Sequence, residues 1–400
     1  MINVKEAKQL IQENCCTSKV ETLSLLEANG SILAEPIYAV IDTPPFHQSA
    51  MDGYAFSFEN WDKKSDLTVI GEIQTGNFSD KIVQSNEAVR IYTGAPIPPG
   101  TDTVVMQEKI SRDGNTIQIL DALLVNGANV RPQGSQTKKG ELALQEKQLL
   151  TPVAISFLAG IGINKVKVFS KPTISIIVTG KELTAANNEI TEGKIFESNS
   201  IGLIAALHQL GINPVSVQVV DDVEEEIEKA ISNQLSSDIL ILTGGVSVGD
   251  YDLVPASLEK CGVEKIFHKI KQKPGKPFYF GRHNQTLVFA LPGNPAAVMS
   301  CFYEYVVQAI SSFTQKEYFK EIIFPLAEDF NKKAGLTFFM KGKMGENTVT
   351  VLNNQESYKL NSFAVADCLV EFDEEGENFK KGDLVNVRMI LLFFLTIKTI

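Results

Sequence analysis

The sequence predicts a multidomain α/β plus β protein, with a doubly wound, mostly parallel sheet at its centre. Three observations predict this fold class. The chain has 400 residues, more than one small core needs. Residues 173–316 alternate between strand-like and helix-like runs. Short β-prone pieces, broken by Pro- and Gly-rich turns, lie on both sides of that region. Such alternation is typical of a parallel sheet covered on both faces.

The central region begins with the strand-like run "TISIIVTG" and a helix over "SIGLIAALHQLG". Strand "PVSVQVV", helix "EEEIEKAISNQL", strand "DILILTGG" and helix "DLVPASLEKCG" follow. The last two strands are predicted over "VEKIFHKI" and "TLVFALPGN", and the last helix over "PAAVMSCFYEYVVQAI". In doubly wound sheets, ligands bind outside the carboxyl ends of the strands.

The regions on either side of residues 173–316 have different sequence patterns. Residues 1–30 have apolar positions at helical spacing and predict a helix that stops at Gly30. From residue 31, pieces such as "LTVIGEI" and "DTVVMQE" predict a β-rich part, and "TPVAISFLAGIG" then predicts a helix. Residues 317–400 return to β-like pieces and predict a small β domain. Its apolar end, "RMILLFFLTIKTI", is too short to span a bilayer, so we interpret it as a final strand with an apolar tail.

The composition narrows the class of protein. Hydrophobic residues make up 44% and charged residues 21% of the chain, as in ordinary globular proteins. The net charge of −11 argues against nucleic-acid binding but leaves room for a small anionic ligand. The N-terminus has no apolar signal core, and the five cysteines are scattered and odd in number. We therefore expect a cytoplasmic protein with reduced thiols, without a membrane anchor or structural zinc.

The stretch "TGGVSVGDYD", residues 243–252, follows the strand-like run "DILIL" and has the composition of a phosphate-binding loop. Glycines let backbone N–H groups approach an anion, and Ser247 can add a hydroxyl. A carboxylate from Asp250 or Asp252 fits beside a phosphate when a magnesium ion lies between them. The alternative is a glycine-rich turn with an Asp cap on the next helix. The glycines of this stretch are Gly244, Gly245 and Gly249.

Two further loops of the central region have side chains and helix ends that suit an anion. "KIKQKPGKPFYFGR" contains Lys273 and Lys276 around a rigid Pro-Gly turn, although a solvated charge run is the simpler interpretation. "ALPGNPAAV" ends a strand and opens a helix at Pro292, Gly293 and Asn294, and a helix N-terminus attracts anions. Three such loops at the strand ends of one sheet favour a binding cleft over unrelated turns.

The β-rich part contributes two candidate residues. In "DTPPFHQSAMDGYAF" two prolines stiffen the chain, and the turn at Asp52 exposes a carboxylate. In "RIYTGAPIPPGTDTVVMQE", Thr93 lies at a strand end before a proline-stiffened loop. Both stretches also fit simple hairpin connectors.

Taken together, these motifs resemble one family, the molybdopterin molybdenumtransferases (bacterial MoeA and the gephyrin E domain). The resemblance rests on several stretches in family order and covers nearly the whole chain. "SAMDGYA" and "GGVSVGDYD" together are highly specific, whereas the second alone also occurs in molybdopterin adenylyltransferases and CinA-type domains. The other stretches are "YTGAPIPPGTDTVV", "RPQGSQTKKGE", "IIVTGKEL", "KPGKPFYFG" and "LPGNPAA".

The resemblance implies a molybdopterin-binding central domain in a four-part subunit. The parts are a helical linking domain (1–30 and 137–172), a β-rich domain (31–136), the α/β domain (173–316) and a C-terminal β domain (317–400). It also implies a homodimer that inserts molybdate into adenylylated molybdopterin and releases AMP, with Mg²⁺ as cofactor. A molybdopterin adenylyltransferase and acceptor molybdoenzymes are the implied protein partners.

The resemblance also assigns roles to residues. It implies that Asp52, Thr93 and Glu182 line one cleft, with Asp52 reaching it from the β-rich part, across a dimer interface. Asp252 would act with a magnesium-bound water and Asp250 would be a second metal ligand. Lys276 would supply positive charge to the oxyanion. The other implied ligand contacts are Thr93, Gly244, Gly245, Ser247, Gly249, Asp250, Lys273, Pro292, Gly293, Asn294, Lys341 and Ser357.

Three positions depart from the family pattern. Gln136 stands where an acid is common, and Lys341 where Arg is common, which keeps the charge but loses bidentate geometry. Glu356, before Ser357, places a negative charge near the expected oxyanion. The alternative function is therefore a pterin-nucleotide carrier or scaffold with weakened catalysis. A CinA-like nucleotide hydrolase shares only the central domain, and "SAMDGYA" counts against it.

Overall fold

The structure is a computed structural model that describes residues 1–15, 19–246 and 253–391. The chain forms two compact units. The first contains residues 1–21 and 169–400, and the second contains residues 22–168. The predicted four-part division is finer than this and stays a prediction. In the described residues, no helix is long and apolar enough to cross a membrane.

The first unit is built on a six-stranded sheet, and its strand order confirms the doubly wound prediction. The first four strands are mutually parallel, and the last two form an antiparallel extension at one edge. In spatial order the strands are Ser216–Val220, Ile174–Thr179, Ile239–Thr243, Thr286–Leu291, Tyr279–His283 and Glu264–His268.

Alternate residues of each central strand enter different cores, which is why the sheet carries helices on both faces. Ile176 packs in a core with the helix Asn199–Gln209, whereas Ile177 packs in a second core with the helix Glu224–Gln234. Side chains of a strand point alternately to opposite faces, so a run that is apolar at every position is buried on both. All six residues of Ile174–Thr179 are buried.

The helices of this unit are close to their predicted positions. Besides the two already named, they are Val4–Asn14, Val254–Lys260 and Pro295–Cys301, the last of which continues through a π-helical turn, Phe302–Val306, into Val307–Thr314. The helix predicted over residues 1–30 is shorter than expected. Its apolar spacing ends with Ile11, and Val20–Ser24, which contains the β-branched Val20 and Thr22, is a strand.

The prediction of a basic loop over residues 269–282 is wrong in part, because this stretch contains two strands. Tyr279–His283 joins the central sheet, and Gln272–Lys273 joins a second sheet. Lysines and prolines surround the aromatic run in "PFYFGR" and obscure its strand pattern in the sequence. Buried contacts of Phe278 and Phe280 with the central core decide in favour of pairing.

The second sheet of the first unit lies in the C-terminal part, as the β-like pieces predicted. It has the order Gln272–Lys273, Thr337–Met344, Cys368–Phe372, Leu384–Met389 and Glu321–Pro325, with Val349–Val351 paired to Thr337–Met344. Short pairs complete the unit: Leu183–Thr184 with Ile195–Phe196, and Phe330–Asn331 with Asn378–Phe379. A single 3₁₀ turn among the described residues of this unit covers Phe363–Val365. The apolar tail, residues 392–400, lies outside the described residues.

A buried charge cluster joins segments of the first unit that are distant in sequence. Glu304, on the π-helical turn, pairs with Lys8 at 2.8 Å and with Arg388 at 3.0 Å. Lys8 also lies 3.9 Å from both Glu321 and Glu371. Burial favours the neutral form of Glu304, but the cations of Lys8 and Arg388 prevail and hold its pKa below the ordinary value. The cluster links the N-terminal helix, the last long helix and the C-terminal sheet.

The second unit confirms the prediction of a β-rich part. Its main sheet has six strands in the order Thr103–Met106, Gly53–Phe56, Glu87–Ile91, Leu67–Ile73, Thr116–Ile119 and Ile110–Asp113. Smaller pairs are Gln48–Ser49 with Val130–Arg131, Ile37–Tyr38 with Leu142–Leu144, and Val20–Ser24 with Lys165–Phe169. A 3₁₀ turn covers Gln107–Lys109. The predicted helix is Pro152–Gly160, with Thr151 as its side-chain cap.

Candidate functional site

A cleft of about 530 Å³ lies at the carboxyl ends of the parallel strands in the first unit. Strand ends, the start of the helix Asn199–Gln209 and the start of the helix at Pro295 form its walls. This is where a doubly wound sheet places its ligand, as the sequence predicted. Among the predicted residues, the lining includes Glu182, Gly244, Gly245, Pro292, Gly293 and Asn294.

Two glycines at the end of the strand Ile239–Thr243 bring its backbone close to the neighbouring strand. Gly244 has φ +97°, and a Cβ there would lie 2.2 Å from the carbonyl oxygen of Thr179. Gly245 has φ +59°, and a Cβ there would lie 3.1 Å from the Thr179 Oγ1. Both the backbone angle and the space require glycine at the first position, so one wall of the cleft is bare backbone.

Asn199 connects two strand-end loops beneath the cleft. Its Nδ2 donates to Thr243 Oγ1 at 3.0 Å and to the carbonyl oxygen of Gly293 at 2.9 Å. Thr243 Oγ1 in turn donates to the carbonyl oxygen of Pro292 at 3.1 Å. Since a carbonyl oxygen can only accept, these bonds fix the orientation of the Asn199 amide.

The same region leaves two buried polar atoms without a hydrogen-bond partner in the described part of the chain. They are Thr179 Oγ1 and Asn199 Oδ1, and both residues line the cleft. Unsatisfied buried polar groups are costly and are often found where a ligand or ion binds. The sequence interpretation did not select either residue. The only available signals were the position of Thr179 at a strand end and of Asn199 at a helix start.

Asn294 and Ser357, predicted from separate motifs, lie together. Asn294 Nδ2 donates to Ser357 Oγ at 2.9 Å, and the N–H of Ala296 donates to the Ser357 carbonyl oxygen at 3.0 Å. A segment of the C-terminal part is therefore fastened to the first turn of the helix that begins at Pro295. Tyr358, the next residue, lines the cleft.

The charged side chains that line the cleft are all acidic among the described residues. They are Glu182, Glu197 and Asp222. Glu197 caps the helix Asn199–Gln209, because the N–H of Ser200 donates to Glu197 Oε1 at 2.8 Å. An anionic ligand in this cleft therefore needs a countercharge from elsewhere, and a divalent cation is the ordinary solution beside carboxylates.

The lysine loop, which we define as residues 273–277, lies between this cleft and a second cavity. Lys273 lines the second cavity, of about 510 Å³, together with residues 351–356, whereas Pro277 lines the cleft. The side chains of Lys273 and Lys276 are exposed. Lys273 Nζ lies 5.1 Å from the centre of the Phe338 ring, a cation–π contact. The loop offers its positive charge next to a cleft whose described walls carry none.

Lys341 has a different environment from the one expected of a ligand-binding cation. It is buried, and its Nζ donates to the carbonyl oxygens of Asn354 at 2.8 Å and Lys359 at 3.1 Å. Burial lowers its pKa from the ordinary value. These contacts indicate that Lys341 holds the segment around Ser357, and a direct contact with the ligand stays a prediction.

The departure at Glu356 is compensated within the structure. Its carboxylate pairs with Lys359 at 2.8 Å. That hydrogen bond lowers the pKa of Glu356, with smaller contributions from the charges of Lys359 and Lys341. The negative charge expected to repel an oxyanion therefore has a cation beside it.

In the second unit, Asp52 and Thr93 lie together. Asp52 Oδ1 accepts from the Thr93 N–H at 2.8 Å and from the Thr93 Oγ1 at 2.9 Å. These hydrogen bonds, the backbone one first, hold the pKa of the exposed Asp52 below the ordinary value, and Arg90 contributes. The two motifs of this unit thus hold one carboxylate in a fixed orientation.

Gln136, in the same unit, is exposed, and its N–H donates to the Thr43 carbonyl oxygen at 2.9 Å. A carboxylate from another segment nevertheless contacts this loop. Asp42 accepts from the Lys139 N–H and the Gln133 Nε2, both at 2.8 Å.

Four predicted residues, Ser247, Gly249, Asp250 and Asp252, lie outside the described residues. They include both predicted magnesium ligands. Within the described ranges there is no group of three or more His, Cys, Asp or Glu side chains that could hold a metal ion.

A backbone-lined cleft at the strand ends of a doubly wound sheet, next to a lysine loop, is the arrangement expected of a protein that binds an anionic ligand. Three family models match the chain and indicate which family of binding proteins it resembles. The MoeA N-terminal region (domain I and II) matches residues 2–162, a probable molybdopterin binding domain matches 175–351, and the MoeA C-terminal region (domain IV) matches 324–390.

Relatives and solved structures agree with these matches. A molybdopterin molybdenumtransferase of Haemophilus influenzae is 33% identical over 397 residues, covering 97% of this chain and 98% of that protein. One from Staphylococcus aureus is 33% identical over 398 residues, covering 96% and 95%. The crystal structure of a molybdopterin biosynthesis MoeA protein from Pyrococcus horikoshii has a TM-score of 0.78 at 30% identity, covering 97% and 100%. The chain belongs to the molybdopterin molybdenumtransferase (MoeA) family, so the resemblance is confirmed.

Proposed function

We propose that this chain inserts molybdate into adenylylated molybdopterin and releases AMP, giving molybdenum cofactor. One observation carries the proposal. The glycine-walled cleft lies next to the lysine loop, so that a phosphate-containing ligand and a tetrahedral oxyanion have adjacent sites on one protomer. Membership of the family supports the choice of substrates.

The pterin nucleotide is assigned to the cleft. Gly244 and Gly245 let its phosphates approach backbone, because no side chain stands between. Thr179 Oγ1 and Asn199 Oδ1 supply a hydroxyl and an acceptor that lack partners in the described part of the chain. An acceptor beside a phosphate site suits a ligand that also carries N–H donors, as a pterin or a nucleobase does.

Molybdate is assigned to the lysine loop. An oxyanion with four oxygens needs cationic and hydroxyl donors, and charge-assisted hydrogen bonds are the stronger kind. Lys276 and Lys273 provide the cations. The hydroxyl of Ser357, whose oxygen accepts from Asn294 Nδ2, provides a donor.

Magnesium fits the donor set, since the described charged side chains that line the cleft are all carboxylates. We propose that Asp250 and Asp252 hold it, with Glu182 and Asp222 contributing to the negative field. When bound, the ion would neutralise phosphate charge and polarise the pyrophosphate link. The residues themselves bind and orient the nucleotide, and Lys276 holds the molybdate.

Asp52 enters the proposal as a carboxylate on the second unit that the Thr93 hydrogen bonds orient and whose pKa they lower. Its predicted contribution to the cleft, the homodimer, the partner proteins and the cytoplasmic location stay predictions. The carrier alternative had rested on Gln136 and Glu356. The ion pair of Glu356 with Lys359 and the contacts of Asp42 with Gln133 and Lys139 favour the catalytic proposal over this alternative.

The test is AMP release by the purified chain when molybdate is added to adenylylated molybdopterin with magnesium. We expect release that depends on both molybdate and magnesium and is lost in Asp252→Asn, which removes a charge but keeps the shape. Binding of the nucleotide without AMP release, at any molybdate concentration, would instead establish the carrier function.

Subunit mixing tests the predicted homodimer. If Asp52 acts on the cleft of a partner protomer, a mixture of inactive Asp52→Asn and Asp252→Asn proteins regains part of the activity. Both variants alone, and a mixture of two samples of the same variant, are the controls.

A further inference from the structure

The lysine loop rests on a buried glutamine. Gln272, immediately before the loop, is 1% exposed. Its Nε2 donates to the carbonyl oxygens of Pro274 at 3.1 Å and Gly275 at 3.2 Å. One side-chain amide therefore holds two consecutive carbonyl groups of the loop, between Lys273 and Lys276.

The orientation of that amide is set by the last long helix. The hydroxyl of Tyr305, on the π-helical turn, donates to Gln272 Oε1. Tyr305 is fully buried, and burial raises its pKa well above the ordinary value, so the phenol keeps its proton. With Oε1 occupied as an acceptor, Nε2 is left to face the two loop carbonyls. π-Helical turns are frequent at functional sites.

Gly275 seats the loop directly on this helix. It has φ +86°, and a Cβ there would lie 2.4 Å from Cys301 Sγ and 2.8 Å from Gln272 Nε2. The backbone of the loop thus lies against Cys301 and Gln272 with no room for a side chain. In the next residue of the loop, the Lys276 carbonyl oxygen accepts from the N–H of Ile270 and of Phe278, both at 3.0 Å.

These contacts restrain the loop backbone, while both lysine side chains remain exposed. A long, flexible lysine binds an anion better when its Cα is fixed, because less conformational freedom is lost on binding. The Gln272 amide itself is buried, and Gln272 is not among the described residues that line either cavity. Its effect on a ligand is therefore indirect.

We propose that Gln272 is a positioning residue that, oriented by Tyr305, holds the lysine loop so that Lys273 and Lys276 bind one oxyanion between them. The identification of that oxyanion as molybdate rests on the proposed function. The restraint of the loop backbone does not depend on the proposed function, and it can be measured without catalysis.

The experiment compares full-length Gln272→Leu with the wild type and with Gln308→Leu. Gln308 is the matched control, because it lies on the same continuous helix as Tyr305 and its Nε2 donates to the Lys8 carbonyl oxygen at 3.0 Å, away from the loop. Molybdate is titrated in the AMP-release assay, and molybdate binding is measured directly by calorimetry. Hydrogen exchange of the Ile270 and Phe278 N–H groups reports on the loop.

For Gln272→Leu we expect at least fivefold increases in the KM and Kd for molybdate, with kcat within twofold, and at least tenfold faster exchange of both N–H groups. A rise in KM with kcat unchanged indicates the loss of binding that the ground state and the transition state share. Tyr305→Phe, which keeps the amide, should shift the same quantities in the same direction by a smaller factor. Gln308→Leu should leave them at wild-type values.

Unchanged exchange in Gln272→Leu would overturn the proposal, and so would faster exchange with an unchanged Kd for molybdate. Equal effects of Gln272→Leu and Gln308→Leu would also overturn it, because they would reflect general loss of stability. If the wild type releases no AMP, the proposed function fails, while the exchange and calorimetry still decide the role of Gln272.

Discussion

The prediction that depends most directly on the cleft geometry is that Gly244→Ala separates two neighbouring strand ends. The added Cβ would lie 2.2 Å from the Thr179 carbonyl oxygen and 2.8 Å from its Oγ1. The oxygen belongs to backbone at the end of a central strand, so it cannot rotate away as a flexible side chain would. The strand ends must move apart, at the point where the cleft has its bare wall.

The expected loss of unfolding free energy in Gly244→Ala has two parts. A non-glycine residue at φ +97° costs about 1–2 kcal/mol for the left-handed backbone. Overpacking a rigid site adds about 1–3 kcal/mol. Gly382→Ala is the matched control, because Gly382 has φ +89° and no described heavy atom lies within 4 Å of its Cβ position. The control should lose only the first part, so the two variants should differ by about 1–3 kcal/mol.

The assay is guanidinium unfolding followed by circular dichroism, with hydrogen exchange of the strands Ile174–Thr179 and Ile239–Thr243. Gly244→Ala should lower the unfolding free energy more than the control and accelerate exchange at the carboxyl ends of both strands. Equal losses in Gly244→Ala and Gly382→Ala would refute the reasoning, since the close approach to Thr179 would then cost nothing.

Three further predictions concern charges. Lys276→Ala should raise the KM for molybdate at least tenfold, since a charge-assisted contact contributes about 1.5–3 kcal/mol. Lys271→Ala should change that KM less than twofold, because the Lys271 ammonium is paired with Glu374 at 2.7 Å. Equal KM values in the two variants would indicate that the lysines act through a diffuse electrostatic field. Burial, with two neighbouring carboxylates, raises the pKa of Glu371 despite Lys8 and Arg388, so its ionisation costs the fold stability as pH rises. Glu371→Gln should therefore increase the unfolding free energy at pH 8, by on the order of 1 kcal/mol or less, which a higher melting temperature would show. The variant should lose that advantage below the ordinary pKa of 4.5, where the wild-type carboxyl is protonated. A constant difference from pH 4 to 8 would contradict this. Lys341→Met should cost roughly 2–3 kcal/mol in unfolding free energy by leaving carbonyl groups without a donor, and an unchanged free energy would argue for a ligand role instead.

The sequence alone determined the alternation of strands and helices in the central domain and the side of the sheet on which the cleft lies. Both follow from local patterns: apolar runs that are buried on both faces, and glycine-rich stretches at strand ends, such as the one at Gly244. The pairing of Asp52 with Thr93 was also within reach, because both motifs stand at ends of strands in one β-rich part. Local patterns failed where charge and proline obscured them. The strand Tyr279–His283 was assigned to a basic loop, and burial of its aromatic neighbours decided its pairing.

Only the tertiary structure could reveal contacts between residues distant in sequence. Asn294 meets Ser357 because a C-terminal segment folds back onto the first turn of a helix. Lys341, which the family resemblance implied as a ligand, is surrounded by carbonyl oxygens. Gln272 had no signal at all, since a glutamine between two lysines is typical of an exposed surface. Its importance comes from burial, which turns an ordinary amide into the partner of two carbonyl groups and a tyrosine, and burial is a property of the packed chain and not of its local sequence.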